Sequence, residues 1–351
     1  MGSEALLPVI VFSDKLKSGT LEWESVRARV QQALQEYGSF EACFNKVPFE
    51  LRKSMFGAIQ EIFELPLQTK SGIPAKTPFG GYIGKSPTAP WREIMAIEDV
   101  LIPEKLTSFT NLLWPQGNPS LGKTVGAFSE KVAELDQMTR RMVLESFGVE
   151  EYYDEHIDSS RYSLRVMKYE APETMESKLM LKPHTDKNLL TILYQINQVG
   201  GLQVQSKDGK WINVKTSPDS FIVMAGDSFH AWTNGRVRAP VHQVTMTENE
   251  TRYSAGLFAS PKEGRILKVP DFPDELKPGT PEWDSMRPRV QQALQEYGGF
   301  EALFNKVPSN KHSNKVIDWH QPLQGDLPFG SPTRSNGEKE DKKHDKEDDF
   351  L

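Results

Sequence analysis

The hardest constraint on how this chain can fold is carried by five residues: His184 and Asp186, then His242, then Arg252 and Ser254. Two imidazoles and one carboxylate form the ligand set of a non-haem Fe(II) site that leaves coordination positions open. They can act together only if distant stretches of backbone bring them to one cavity. Strand geometry offers a way. Alternate side chains of a strand face the same way, so His184 and Asp186 are expected to share a cavity with Thr185 turned away. The apolar run 189–194 is expected to continue as a strand. His242 must then come from a distant strand, which a curled antiparallel sheet supplies. Arg252 and Ser254 alternate in the same manner, so both are expected to face inward. An arginine grips a carboxylate through two parallel hydrogen bonds, which a lysine cannot do. A serine hydroxyl adds a third. Metal ligands beside a carboxylate clamp point to oxygenase chemistry with an oxo-acid as co-substrate.

Each part of this pattern is weak alone. Most His-x-Asp pairs bind no metal, most Arg-x-Ser pairs are surface strand residues, and a lone His242 could be a core histidine. The joint spacing on strand-like segments carries the reading. His230, after Gly226-Asp227, reads as a turn or strand-end residue and stays open as an alternative to His242 as third ligand. His156, His312, His320 and His344 have no metal-like company.

Periodicity divides the chain. Thr20 is placed to cap a helix from Leu21, with Trp23, Val26, Val30, Ala33, Leu34 and Tyr37 at helical spacing. Leu51, Met55, Ala58, Ile59 and Ile62 predict a second helix over 50–64. Val132, Leu135, Met138, Met142, Val143 and Phe147 predict a third over 128–147, stopped by Gly148. These stripes read as core packing. Residues 70–90 are rich in Gly and Pro and read as a long loop. From 163 to 258 the pattern changes to short strands with Asp208-Gly209 and Asn234-Gly235 as turn pairs. The expected fold is mainly β with flanking helices: a double-stranded β-helix, or jelly roll, behind a helical N-terminal region.

Residues 272–308 repeat 12–48 with about three quarters of the positions identical, including an unchanged stretch at 290–298. The expected organisation is therefore 1–160, an N-terminal strand and helical region; 161–264, the jelly-roll core; 265–308, a partial repeat of 5–48; and 309–351, a disordered charged tail. The repeat reads as the start of a second copy, standing where closing helices are expected. A helix like the first is expected over 281–297, kinked or late near Pro288. The last stretch, 337–351, holds seven acids and four lysines with little to bury.

A formal net charge of -6 argues against a general nucleic-acid binder. A single cysteine, Cys43, suits a reducing compartment. No run is long enough for a membrane span, and Met1-Gly2-Ser3-Glu4 does not read as a signal peptide. A cytoplasmic monomer with neither nucleic acid nor membrane as partner is expected.

At these residues the chain resembles the plant 2-oxoglutarate- and Fe(II)-dependent dioxygenases, from about Leu7 to about Gly264. The likeness includes Leu7-Pro8-Val9-Ile10, Glu36-Tyr37-Gly38-Ser39-Phe40, Gly200-Gly201-Leu202, Asp208-Gly209-Lys210-Trp211 and Asn234-Gly235-Arg236. Within the family, Trp114-Pro115-Gln116-Gly117-Asn118-Pro119, Leu164-Arg165-Val166-Met167-Lys168-Tyr169 and His184-Thr185-Asp186-Lys187-Asn188 are most similar to the branch that oxidises glucosinolate side chains. The resemblance implies Fe(II) on His184, Asp186 and His242. It implies 2-oxoglutarate on Arg252 and Ser254 with help from Tyr169, and a substrate pocket bordered by Arg165, Phe258 and Ser260. It implies oxidation of a small plant metabolite by O2, release of succinate and CO2, and ascorbate as reductant. Two positions depart from the pattern: Met167, where many relatives have asparagine, and Gln243, where arginine is usual. The competing reading is a non-catalytic or chimeric remnant that binds metal and co-substrate but lacks closure over the site.

Overall fold

In the computed structural model the described residues are 6–75, 80–171, 178–246, 249–263 and 269–270. The chain opens with β1 (Val9–Phe12), α1 (Leu21–Glu36), β2 (Ser39–Phe44) and α2 (Phe49–Glu64). The Trp23 amide donates to Thr20 Oγ1 at 3.2 Å, so α1 starts where the cap predicts. A short α3 (Leu67–Ser71), β3 (Gly81–Ile83), β4 (Arg92–Glu98) and α4 (Pro103–Leu113) follow. The long helix α5 spans Pro119–Ser146. It begins earlier than its apolar stripe predicts, because Asn118 Oδ1 accepts from the Leu121 amide at 3.0 Å and Pro119 opens the first turn. A 3-10 turn, Glu150–Tyr152, and α6 (Tyr153–Asp158) lead into the strand-rich part.

That part holds β5 (Ser160–Tyr169), β6 (Lys178–His184), β7 (Leu190–Gln195), β8 (Leu202–Gln205), β9 (Trp211–Asn213) and β10 (Ser220–Ala225). It ends with α7 (Asp227–Trp232), β11 (His242–Met246) and β12 (Arg252–Pro261). The strands form two sheets, an 8-stranded one in the order β1-β2-β10-β7-β12-β5-β4-β3 and a 4-stranded one in the order β6-β11-β8-β9. This is the expected jelly roll.

Two apolar cores explain the layering. Tyr162, Leu164 and Val166 of β5 and Ala255, Leu257 and Ala259 of β12 pack on one side, with Val30, Ile59, Phe128 and Val132 of the helices. Burying one such large apolar side chain is worth about 1.5–3 kcal/mol. Met167 and Tyr169, from the other face of β5, pack with Met180, Val204 and Val244 of the smaller sheet. Strand alternation thus assigns odd residues of β5 and even residues of β12 to the space between the sheets. The site is built on that face.

Three sequence expectations need correction. The first hundred residues are not helical throughout after the opening strand, since β2, β3 and β4 lie there and join the larger sheet. Arg92–Glu98 is buried on both faces along most of its length, so it shows no alternation to read. The stretch 70–90 is not all loop, because β3 pairs antiparallel with β4. Asn234-Gly235 does not join two strands. It ends α7, both residues at positive φ, and the Gly235 amide donates to His230 O at 2.8 Å. His230 accordingly sits in a helix rather than at a strand end.

The repeat at 272–308, the helix expected over 281–297 and the charged tail at 309–351 lie outside the described residues. Among the described residues no helix is long and apolar enough to cross a membrane.

Candidate metal and co-substrate site

His184 is the last residue of β6 and His242 the first of β11, and the two stand opposite each other in the antiparallel register. Their ring centroids are 4.2 Å apart. His184 Nδ1 lies 2.8 Å from Lys182 O, and His242 Nδ1 lies 3.3 Å from Pro240 O. A carbonyl oxygen only accepts, so each ring carries a proton on Nδ1 and turns Nε2 toward the other ligand side chains. Burial, and then the neighbouring His242, push His184 down to about 4. It is neutral at pH 7, as a metal ligand must be.

Asp186 reaches the site by a different route from the one expected. It lies in the loop after β6 rather than on the strand. Hydrogen bonds place it. Thr191 Oγ1 of β7 donates to Asp186 Oδ2 at 2.6 Å. Oδ1 is left 3.9 Å from His184 Nε2 and 3.8 Å from His242 Nε2. The Asp227 amide at the start of α7 donates to Asp186 O at 2.7 Å. Thr185 does turn away, and its Oγ1 donates to Asp227 Oδ2 at 2.7 Å. Asn188 Nδ2 donates to Leu190 O and to Thr191 Oγ1, both at 2.9 Å. Gly226 permits this close fit, because a Cβ there would stand 2.1 Å from Asn188 O. Burial pushes the Asp186 carboxyl up, but the two imidazoles, the Thr191 hydroxyl and Arg165 outweigh it and hold it below its usual range.

One ligand atom from each of His184, Asp186 and His242 lies within 4.8 Å of the others. Two imidazole nitrogens and one carboxylate oxygen on one side of a cavity fit an Fe(II) ion with open positions. His230 is not part of this group. Its Nδ1 lies 2.6 Å from Val237 O.

Arg252 and Ser254 occupy alternate inward positions on β12, as expected. Arg252 is 1% exposed, and its Nη1 donates to Ser254 Oγ at 3.1 Å. Its Nε and Nη2 are buried without a hydrogen-bond partner. Tyr169 stands beside it on β5, with the guanidinium 5.5 Å from the ring centre. Burial lowers the Arg252 pKa, and Tyr169 opposes that. Two nitrogens of a buried cation with no acceptor are costly to leave so. They suit the far carboxylate of a dicarboxylate whose other end reaches the metal.

Arg165 lies one inward position before Met167 on the same strand face, with its guanidinium 4.3 Å from the centre of the Phe258 ring. Gly256, its register partner, leaves room for that ring, since a Cβ there would come within 2.8 Å of it. Ser260 follows on the same face, partly exposed near the end of β12. Met167 sits in the apolar core between the sheets, and Gln243 points away from the ligands, its Nε2 donating to Gln203 Oε1 at 2.6 Å. Thr191, Asn188 and Asp227 were missed as positioning residues. The available signal was a threonine within the apolar run 189–194.

Residues 145–261 match the 2OG-Fe(II) oxygenase superfamily, and residues 7–117 match the N-terminal region of non-haem dioxygenases in morphine synthesis. A probable 2-oxoglutarate-dependent dioxygenase, AOP1.2 of Arabidopsis thaliana, is 47% identical over 305 residues, covering 85% of this chain and 90% of that one. The chain belongs to the 2-oxoglutarate- and Fe(II)-dependent oxygenases. Within them it falls in the plant AOP branch. The 2-oxoglutarate-dependent dioxygenase AOP3 of Arabidopsis thaliana is 34% identical over 371 residues, covering 78% of this chain and 89% of its own. Of the solved structures, the rice dioxygenase for auxin oxidation is 26% identical with a TM-score of 0.65, over 82% of this chain and 95% of that one. The dioxygenase for auxin oxidation 1 of Arabidopsis thaliana, in complex with 2-oxoglutarate, shares the fold at a TM-score of 0.68 and 22% identity, over 75% of this chain and 95% of that one. This oxidoreductase takes Fe(II) and 2-oxoglutarate.

Proposed function

We propose that this oxygenase oxidises a small specialised plant metabolite of the glucosinolate side-chain type, with release of succinate and CO2. The observation that carries an active site, rather than a remnant, is the buried Arg252 with Nε and Nη2 unpartnered, facing the same inter-sheet space as the three ligand side chains. A remnant under no demand to bind an anion has no reason to keep a desolvated guanidinium idle.

In this reading His184, Asp186 and His242 hold Fe(II) through their Nε2 atoms and Oδ1. Thr191 keeps Oδ2 occupied, so Asp186 offers one oxygen in a fixed direction. Arg252 Nε and Nη2, the Ser254 hydroxyl and the Tyr169 hydroxyl take the far carboxylate of 2-oxoglutarate. Bound Fe(II) and 2-oxoglutarate supply the activation of O2 that oxidises the substrate. Arg165, Phe258 and Ser260 border the substrate, and the apolar walls of Met167 and Leu193 exclude water from it.

The test is a metabolite screen of the full chain, loaded with Fe(II) under anaerobic conditions and then given O2, 2-oxoglutarate and ascorbate. Succinate release stimulated by a glucosinolate or its precursor supports the proposal. Intact binding of metal and 2-oxoglutarate with no stimulation by any such compound supports the remnant reading.

A further inference from the structure

Arg92 opens β4, and its register partner on β5 is Tyr169, whose partner on β12 is Arg252. These three strands are neighbours in the larger sheet. The residues therefore form one row, with adjacent Cα atoms about 5 Å apart. Residues paired across strands project from the same face. The next row along that face is Ile94, Met167 and Ser254, and Ile94 and Met167 pack in the core between the sheets. Arg92 thus stands on the site face, on the opposite flank of Tyr169 from Arg252.

Its charge has no use within the fold. Among the described residues no carboxylate pairs with the Arg92 guanidinium. The adjacent acid, Glu93, faces the other side of the sheet, where its carboxylate accepts from Lys70 Nζ at 2.6 Å. Burial lowers the Arg92 pKa and only Tyr169 opposes it. The cation is felt at Tyr169, where with Arg252 it counters the rise that burial imposes on the hydroxyl. Arg92 and Arg252 thus flank Tyr169 from the two neighbouring strands, on the face that carries the clamp.

We propose that Arg92 is a second guanidinium of the co-substrate site, holding 2-oxoglutarate from the flank of Tyr169 opposite Arg252. This rests on the reading that Arg252, Ser254 and Tyr169 take the far carboxylate. A carboxylate has about four lone-pair sites, so Arg252 and the two hydroxyls leave room for a further donor. Arg92 is a binding residue in this account, and half-buried placement lets it engage after Arg252 has seated the anion.

The experiment is calorimetric titration of Mn(II)-loaded full-length protein with 2-oxoglutarate, and separately with 2-oxobutyrate, which lacks the far carboxylate. The proteins are the unaltered chain, Arg92→Gln, Arg92→Lys and Arg252→Gln, each also titrated with Mn(II) alone. Arg92→Gln is expected to weaken 2-oxoglutarate binding about tenfold, the loss of one charge-assisted hydrogen bond. It should leave Mn(II) and 2-oxobutyrate binding unchanged. Arg92→Lys should recover part of the loss. Unchanged 2-oxoglutarate affinity in Arg92→Gln overturns the proposal and returns Arg92 to the substrate side of the cavity. An equal loss for both oxo-acids also overturns it, because the effect would then lie at the metal end or in the fold. If Arg252→Gln weakens 2-oxoglutarate and Arg92→Gln does not, only the role of Arg92 fails. If neither does, the clamp itself is wrongly placed.

Discussion

Among the described residues Arg140 on α5 and Arg252 on β12 are the two largest side chains that are fully buried, and their surroundings are opposites. Arg140 donates from Nε and Nη2 to Asp136 Oδ2 at 3.0 and 2.6 Å, from Nη1 to Ser160 Oγ at 2.8 Å and from Nη2 to the Tyr162 hydroxyl at 2.6 Å. Tyr162 in turn donates to Asp136 Oδ2 at 2.6 Å. Burial alone would lower the Arg140 pKa, but Asp136 and Tyr162 outweigh it and the pKa rises. For Arg252 the balance goes the other way, because only one of its three nitrogens has a partner. The same residue type, equally buried, fastens a helix to a strand in one place and stays available for a ligand in the other. Burial cannot tell the two roles apart. The hydrogen-bond inventory can.

The largest effect belongs to the ligand side of this contrast. His184→Ala, Asp186→Ala or His242→Ala should each reduce 2-oxoglutarate turnover to background and abolish Fe(II) binding, since three ligands leave no spare. His230→Ala should keep most activity. A dead His230→Ala beside an active His242→Ala would mean that the third ligand is misassigned.

Next comes stability. Arg140→Met leaves the Asp136 carboxylate buried without a counter-charge, which should cost about 3–5 kcal/mol in urea unfolding. Arg252→Met removes a cation that nothing neutralises, so the ligand-free protein should be no less stable, or more so, and should lose its stabilisation by added 2-oxoglutarate. Equal destabilisation by the two substitutions would erase the distinction drawn here.

A finer cut is Arg252→Lys, which keeps the charge and loses the fork. It should weaken 2-oxoglutarate binding by about 2 kcal/mol or more, the range for hydrogen bonds to charged groups, with Fe(II) affinity in the absence of co-substrate barely altered. An unchanged dissociation constant for 2-oxoglutarate would remove Arg252 from the site.

The smallest effect concerns His156, which lies beside the satisfied cluster. Its ring is 4.2 Å from that of Trp232 and neither nitrogen has a partner. Burial, and then Arg140, hold its pKa well below the ordinary value. Above an unfolded pKa of about 6.5 neither state is protonated and pH has no leverage. Below it the unfolded chain takes up the proton first, so stability falls as the pH drops. The loss between pH 7.5 and 5.5 should be about 1 kcal/mol. It should be absent from His156→Phe, and so should appear as the difference between the two proteins in matched denaturation curves.

How much of this was legible in the sequence depends on where each residue gets its position. His184, His242, Arg252 and Ser254 are held by strand alternation and register, and a period of two can be read from one chain. Asp186 looked like part of the same strand. Its placement instead comes from side-chain hydrogen bonds of Thr191 and Asn188 and from the start of α7, some 40 residues on, and neither kind of contact leaves a local period. The strand Arg92–Glu98 was lost for a related reason, being covered on both faces. With it went Arg92, whose meaning depends on which strand lies next to which. The start of α5 was missed although Asn118-Pro119 is a capping pair, because the apolar stripe begins later than the helix.

The facing positions of His184 and His242 have a consequence for motion. Among the described residues β6 is the outermost strand of its sheet, hydrogen-bonded along one side, to β11. An ion held by both rings is a latch on that free edge. Removing it with a chelator should let the amide hydrogens of residues 178–184 exchange faster, while those in the middle of β5 and β12, each flanked by strands on both sides, keep their rates. Metal release and fraying of the edge are then one event seen by two instruments, and the residence time of the ion measures how often the strand peels away.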